Sequence, residues 1–190
     1  SAFDLAGEWT AARGLRADDA VFAGLAAHNL WQRYCPGRPS TELVEDRVEA
    51  GHKLAEAGRA ARACEVWAQA WDAVRSWLTP EQRTCEAADA CVKSAVTCGD
   101  WTLRFAAESV RAARSDPSWL PRAIELHEQL LSQFPDEAGW DDDEGDPIDY
   151  RCDLLAALID LLRKTGSTER AEALAPWTRS SAGGRSARPG

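Results

Sequence analysis

No stretch of this chain approaches the roughly 18 consecutive apolar residues that a bilayer-spanning helix needs. A basic start followed by an apolar run is missing at Ser1-Ala2-Phe3-Asp4, so no secretory signal is read there and the cytoplasm is the expected location. Positive charge is in short supply: 22 Lys and Arg stand against 31 Asp and Glu, for a formal net charge of -9 at pH 7. Binding to a phosphate backbone or an anionic membrane relies on clustered Lys and Arg. Neither nucleic acid nor a membrane surface is therefore an expected partner. Catalytic signatures are missing too, with no G-x-S-x-G, no H-E-x-x-H and no phosphate-cradling glycine loop. Histidine is scarce, and His28, His52 and His127 lie far apart along the chain. The six cysteines, Cys35, Cys64, Cys85, Cys91, Cys98 and Cys152, contain no C-x-x-C pair. Zinc sites announce themselves by close ligand pairs, so no metal, cofactor or catalytic residue is assigned. The thiols read as small buried groups of a reduced compartment, with Cys91 and Cys98, seven apart, on one helix face.

What the chain does contain is helix-forming sequence. Ala, Leu, Glu and Arg fill nearly half of the positions, and β-branched alternating runs are absent. At 190 residues and 45% hydrophobic content it has the size and composition for one domain with a proper core. Thr79-Pro80-Glu81-Gln82 reads as a helix start, a capping hydroxyl before a first-turn proline with Gln at the third position. Asp146-Pro147-Ile148-Asp149 follows the same logic. Gly166 followed by Ser167 reads as one helix stopping and the next beginning. Breaks fall at Pro36-Gly37-Arg38-Pro39, Gly58, Asp116-Pro117 and from Pro135 to Gly145. These marks predict helices near 18–35, 40–57, 60–78, 80–98, 100–114, 118–134, 147–165 and 167–178, a short one at 4–13, and a disordered tail over 179–190.

Helix pairs at this spacing fit the tetratricopeptide unit of about 34 residues. In residues 44–77, Gly51, Ala63 and Ala70 occupy close-packing positions, Gly58 makes the turn, and Trp67 is the large wedge between helices. Arg47 and Leu54 stand where the consensus favours aromatics. Degenerate units follow at 104–137, with Ala123, Pro135 and His127 in place of the usual aromatic, and at 152–178, with Gly166 and Ala171. The expected fold is all-α, antiparallel helix pairs stacked as a short tetratricopeptide-like α-solenoid, as a single domain over 1–178. The segment Trp31-Gln32-Arg33-Tyr34-Cys35-Pro36-Gly37-Arg38-Pro39, the pair ending Glu65-Val66-Trp67-Ala68-Gln69-Ala70-Trp71, and Asp116-Pro117-Ser118-Trp119-Leu120 through Phe134-Pro135-Asp136 resemble a set of poorly characterised bacterial proteins. Those combine tetratricopeptide-like helices with, in many members, a zinc-binding SEC-C motif. That motif is missing here, so the resemblance implies a helical-repeat adaptor and carries no zinc role.

Stacked repeats line a concave groove with the first helix of each pair. That places Glu45, Val48, His52 and Glu56 on the groove from the first pair, Phe105 and Glu108 from the second, and Asp153, Asp160 and Arg163 from the third. The bland alternative is a solvated face or contact between units. A mostly acidic groove suits a basic or amphipathic protein or peptide. Among the nine tryptophans, most read as gap fillers, while Trp31 or Trp71 could anchor a partner. The acidic run Asp141-Asp142-Asp143-Glu144-Gly145-Asp146 fails as a calcium loop, because a register with Gly145 sixth puts Trp140 first and Arg151 twelfth. It reads as a solvated linker or a salt-sensitive docking site for a basic partner. The leading expectation is a protein-binding adaptor. A helical enzyme whose Cys, His and carboxylates meet only in the fold, and a structural subunit of a larger assembly, stand beside it.

Overall fold

The computed structural model describes residues 33, 41–92, 97–137, 140–141 and 147–182. The expected helices at 4–13 and 18–35, the Pro36–Pro39 break, Cys35, Trp31 and the last residues of the tail lie outside that set. Among the described residues the chain is all-α, with seven helices in antiparallel contacting pairs. They are α1 (Thr41–Glu56), α2 (Ala60–Trp77), α3 (Cys85–Val92), α4 (Cys98–Ser115), α5 (Leu120–Gln133), α6 (Tyr150–Lys164) and α7 (Thr168–Ala182). A 3-10 turn, Pro117–Trp119, precedes α5, and Trp140–Asp141 (β1) pairs antiparallel with Pro147–Ile148 (β2). None of the described helices is long and apolar enough to cross a membrane. The chain divides into two compact units, Ser1–Leu78 with Asp89–Thr97, and Thr79–Ala88 with Cys98–Gly190, so the division runs through α3.

In the first unit, α1 and α2 form a hairpin. The buried residues of α2 recur at helical spacing, through Ala60, Ala63, Cys64, Trp67, Ala70, Trp71 and Val74, and so make one apolar stripe. Gly51 lets the hairpin close: a Cβ there would fall 2.2 Å from Trp67 Nε1. The fully buried indole of Trp67 donates its N–H to the Val48 carbonyl at 3.1 Å, and His52 meets its ring edge-on at 5.2 Å. Trp67 thus fills the space between the two helices of its own hairpin, whereas the repeat reading puts it between this pair and the next. Arg47, read from sequence as a departure from the aromatic consensus, is buried at that position. Burial holds its guanidinium below the usual arginine range, and its Nε has no hydrogen-bond partner.

The turn after α1 ends in a Schellman motif, with Gly58 at φ +73°. The Arg59 N–H reaches the Leu54 carbonyl and the Gly58 N–H that of Ala55, both at 2.9 Å. The α6–α7 turn repeats this arrangement in the second unit. Gly166 sits at φ +77°, Ser167 N–H bonds to Leu162 O at 2.9 Å, and Gly166 N–H to Arg163 O at 3.1 Å. Five residues past each glycine lies a fully buried alanine, Ala63 or Ala171. Within the second unit, Leu158, Ile159, Leu162 and Ala171 form one core cluster, packed by Ile124, Leu131, Leu174 and Ala175. Ala113, Ala123 and Leu161 form another, under Val110, Trp119 and Leu120.

Two helix starts fall elsewhere than the sequence suggests. No helix begins at Thr79-Pro80. The Gln82 side chain accepts from the Thr79 N–H at 2.7 Å and Gln82 N–H donates to the Thr79 carbonyl, which closes a single turn that does not propagate. Arg83 then turns to Asp136, and the helix begins at Cys85, with the Thr84 hydroxyl accepting from Ala87 N–H at 3.2 Å. Likewise Pro147–Ile148 is extended and paired, so α6 starts later. Its cap is Asp149, whose Oδ1 accepts from Cys152 N–H at 3.0 Å.

Candidate functional site

The residues expected along a groove do not share one exposure. Val48 and Trp71 are buried in the first unit, and Phe105 and Glu108 are buried in the second. Trp71 therefore belongs to the packing of its own hairpin and has no face free for a partner. Phe105 and Val48 are in the same position, and Glu108 reaches out only far enough to pair with Arg111 at 3.0 Å. Glu45 and His52 are half-buried, and Glu56 is exposed. Of the third set, Asp153, Asp160 and Arg163 are exposed, with Asp160 and Arg163 paired along their own helix at 3.7 Å. Burial on α1 and α4 extends to Val48, Phe105 and Glu108, positions that counting from the repeat anchors assigns to a groove.

A different constellation emerges in the second unit, where four elements converge on two thiols. Cys85 is the first residue of α3 and Cys98 the first residue of α4, and both are buried. Their side chains lie within hydrogen-bonding reach of each other, and the Tyr150 phenol at the start of α6 reaches Cys85. Thr102 Oγ1, one turn into α4, donates to the Cys98 carbonyl at 2.6 Å. With that proton committed, it accepts from Tyr150 Oη at 3.0 Å. Glu137 closes the cluster from below α3 by accepting the Cys85 backbone N–H, a carboxylate at a helix N-terminus. Arg83 with Asp136, Gln133 Nε2 with the Gln82 carbonyl at 3.2 Å, and Arg151 with the Pro135 carbonyl at 3.1 Å fix the surrounding segments.

The electrostatics of this cluster keep protons on. The hydrogen bond to Cys98 pushes the Cys85 thiol well above its ordinary value, and burial and the Glu137 charge act in the same direction. Tyr150 is likewise pushed up, first by burial. A nucleophilic cysteine needs the opposite environment, a thiolate stabilised by positive charge. His127, the histidine described in this unit, has its Nδ1 on the Ala123 carbonyl at 2.7 Å. Its Nε2 is buried without a partner. Among the described residues, no group of three or more His, Cys, Asp and Glu is placed to hold a metal ion.

His127 yields a pH signature. Burial holds its pKa below the usual value, against the opposing effect of the Ala123 hydrogen bond. In the unfolded chain a histidine takes its proton near pH 6.5. Below that pH the unfolded state binds more protons than the folded one, so stability falls on acidification until the folded pKa is reached. The expected result is a urea midpoint lower at about pH 5.5 than at about pH 7.5. His127→Phe, which restores an aromatic ring without a titrating nitrogen, is expected to flatten that difference. An equal pH dependence in the variant would assign the effect to other groups.

Sequence reasoning missed the thiol cluster because its members are scattered and lack close spacing. The expectation that Cys91 and Cys98 share one helix face is overturned, because one helix ends at Val92 and Cys98 opens the next. Comparison with family models, with curated proteins and with solved structures finds no match to this chain.

Proposed function

We propose that this chain is a helical scaffold that binds a basic or amphipathic protein segment through its acidic hairpin. The observation that carries the reading is the pairing of Trp140 with Ile148 and of Asp141 with Pro147. That pairing brackets in sequence the densest acidic run of the chain, Asp141, Asp142, Asp143, Glu144 and Asp146, of which Asp142 to Asp146 lie outside the described residues. Five carboxylates within six consecutive residues draw an oppositely charged partner by long-range attraction, which raises the rate of encounter and discriminates by charge. The overall charge of -9 points the same way. Trp177, 60% exposed on α7, adds an apolar element that an amphipathic segment would cover. Tetratricopeptide-like stacking and the resemblance to bacterial repeat proteins belong to this proposal, with Val48, Phe105 and Glu108 buried rather than lining a groove and Trp71 buried rather than anchoring a partner. The competing enzyme reading has less support, because Cys85 is held protonated.

The test is fluorescence anisotropy with a labelled, Lys- and Arg-rich amphipathic helical peptide. Binding is expected to weaken on going from about 50 to about 200 mM salt, where screening shortens the reach of surface charge. The variant carrying Asn at 141, 142, 143 and 146 and Gln at 144 is expected to lose about tenfold in affinity at the lower salt. Equal affinity in the two proteins would overturn the assignment.

A further inference from the structure

The outer face of α7 deepens the proposed function, and it rests on the same reading of the chain as a scaffold for a basic amphipathic segment. Within the second unit, α7 packs inward through the buried Ala171 and the half-buried Leu174 and Ala175. On the opposite side Glu169, Glu172, Ala173, Pro176 and Trp177 are all exposed. Helical spacing sorts them into two neighbouring rows, Glu169-Ala173-Trp177 and Glu172-Pro176. Each row has a carboxylate at its N-terminal end and an apolar side chain at its C-terminal end. Among the described residues, Trp177 is the one large apolar side chain left exposed, at 60%. Neither glutamate forms an ion pair among the described residues, and Arg170 between them is committed to Glu128. Pro176 has no N–H, so the helix gives the Glu172 carbonyl no donor four residues on, which adds an acceptor to the acidic half of the face.

We propose that this face docks a cationic amphipathic helix, which lays a large apolar side chain on Trp177 and Pro176 and a Lys or Arg on Glu169 and Glu172. From residue 177 back to residue 169 the helix rises about 12 Å, so the partner's apolar and basic residues stand about two turns apart. Ala173 lies between the two halves, and its small side chain leaves room for the partner backbone to approach. Charge selects the occupant. A second copy of this chain, with its net charge of -9, meets a face of its own sign, whereas a cationic helix neutralises Glu169 and Glu172 and donates to the Glu172 carbonyl. Tryptophan is among the residues that dominate interface energies, so Trp177 is the anchor and the carboxylates set the salt dependence.

The test is fluorescence anisotropy with a labelled helical peptide that carries a pair of leucines about two turns from a pair of lysines, and with a second peptide whose leucines are alanines. The proteins are the whole chain, Trp177→Ala, Glu169→Gln combined with Glu172→Gln, and the variant with a neutral hairpin run. Trp177 is exposed, so its replacement leaves the core intact, and circular dichroism establishes that each variant is folded. Trp177→Ala is expected to weaken binding of the leucine peptide about tenfold. It is expected to affect the alanine peptide far less, which couples Trp177 to the leucines. The double glutamine variant is expected to lose about threefold and to flatten the salt dependence. The proposal is overturned if Trp177→Ala binds the leucine peptide as wild type does, or if it loses the same factor toward both peptides. It is also overturned if sedimentation shows a wild-type dimer that Trp177→Ala dissociates, because the occupant is then a second copy. The neutral hairpin variant keeps the two sites apart. Loss of binding there with none in Trp177→Ala removes the α7 site and keeps the hairpin, and the reverse keeps α7 and removes the hairpin. Absence of peptide binding to wild type removes both.

Discussion

Trp67→Ala is expected to lower stability by about 3–5 kcal/mol, the range for removing a fully buried tryptophan. The indole is 0% exposed, fills the space above Gly51 and donates to the Val48 carbonyl, so its loss leaves both a cavity and a weakened helix contact. The same geometry predicts a cost from the opposite direction. Gly51→Ala puts a methyl group 2.2–2.5 Å from three atoms of the pyrrole ring, and the overpacking is expected to cost about 1–3 kcal/mol. Alanine is otherwise the better helix residue by about 1 kcal/mol. In the Trp67→Ala background, where the ring is gone, Gly51→Ala is therefore expected to be neutral or stabilising. A double-mutant cycle by urea denaturation separates the cases. If the two single costs simply add, close approach of the helices is not the reason for glycine at this position.

Leu162→Ala is expected to cost about 2–5 kcal/mol. Leu162 is 0% exposed at the centre of the cluster formed with Leu158, Ile159 and Ala171, and side chains from α5 and α7 close over it. Its carbonyl also accepts the Ser167 N–H of the Schellman turn, a bond the substitution leaves intact. The loss is then a packing loss with the turn preserved. Leu174→Ala, at a half-buried position on the edge of the same cluster, is expected to cost less than half as much. Urea denaturation followed by circular dichroism measures both. Equal costs would mean that the cluster has no well-packed centre.

Features written in local chemistry were legible in the sequence. Gly58 and Gly166 end helices because only a residue free to adopt positive φ closes those turns, and Asp116-Pro117 marks a break as read, with Asp116 capping a 3-10 turn there. Gly51 was legible as a close-packing position of its hairpin, though its partner there, Trp67, was not. Thr79-Pro80 misled because the turn chemistry is real, but Arg83 and Gln82 are then drawn to Asp136 and Gln133, partners more than fifty residues away. Asp146-Pro147 misled because strand pairing with Trp140–Asp141 competes with an early helix start. The candidate site was less legible still. Val48, Phe105 and Glu108 were placed on a groove by counting from the repeat anchors, and Trp71 was offered as a partner anchor on residue type; neither route reveals how many sides of a helix its neighbours cover. Cys85, Cys98, Tyr150 and Glu137 come from four parts of the chain, and only the tertiary fold brings them together.

The matching Schellman turns have a kinetic consequence. Each joins two long helices through a three-residue link, so the contacts that α1 makes with α2, and α6 with α7, are between residues close in the chain. Closing such a short loop carries little entropic cost, and proteins rich in local contacts fold in microseconds to milliseconds. Each unit therefore contains one hairpin able to assemble early, around Gly58 in one and Gly166 in the other. The Thr79–Ala88 segment must wait for Gln133, Asp136 and Glu137, so the slow step of the second unit is the docking of α3 and its thiol.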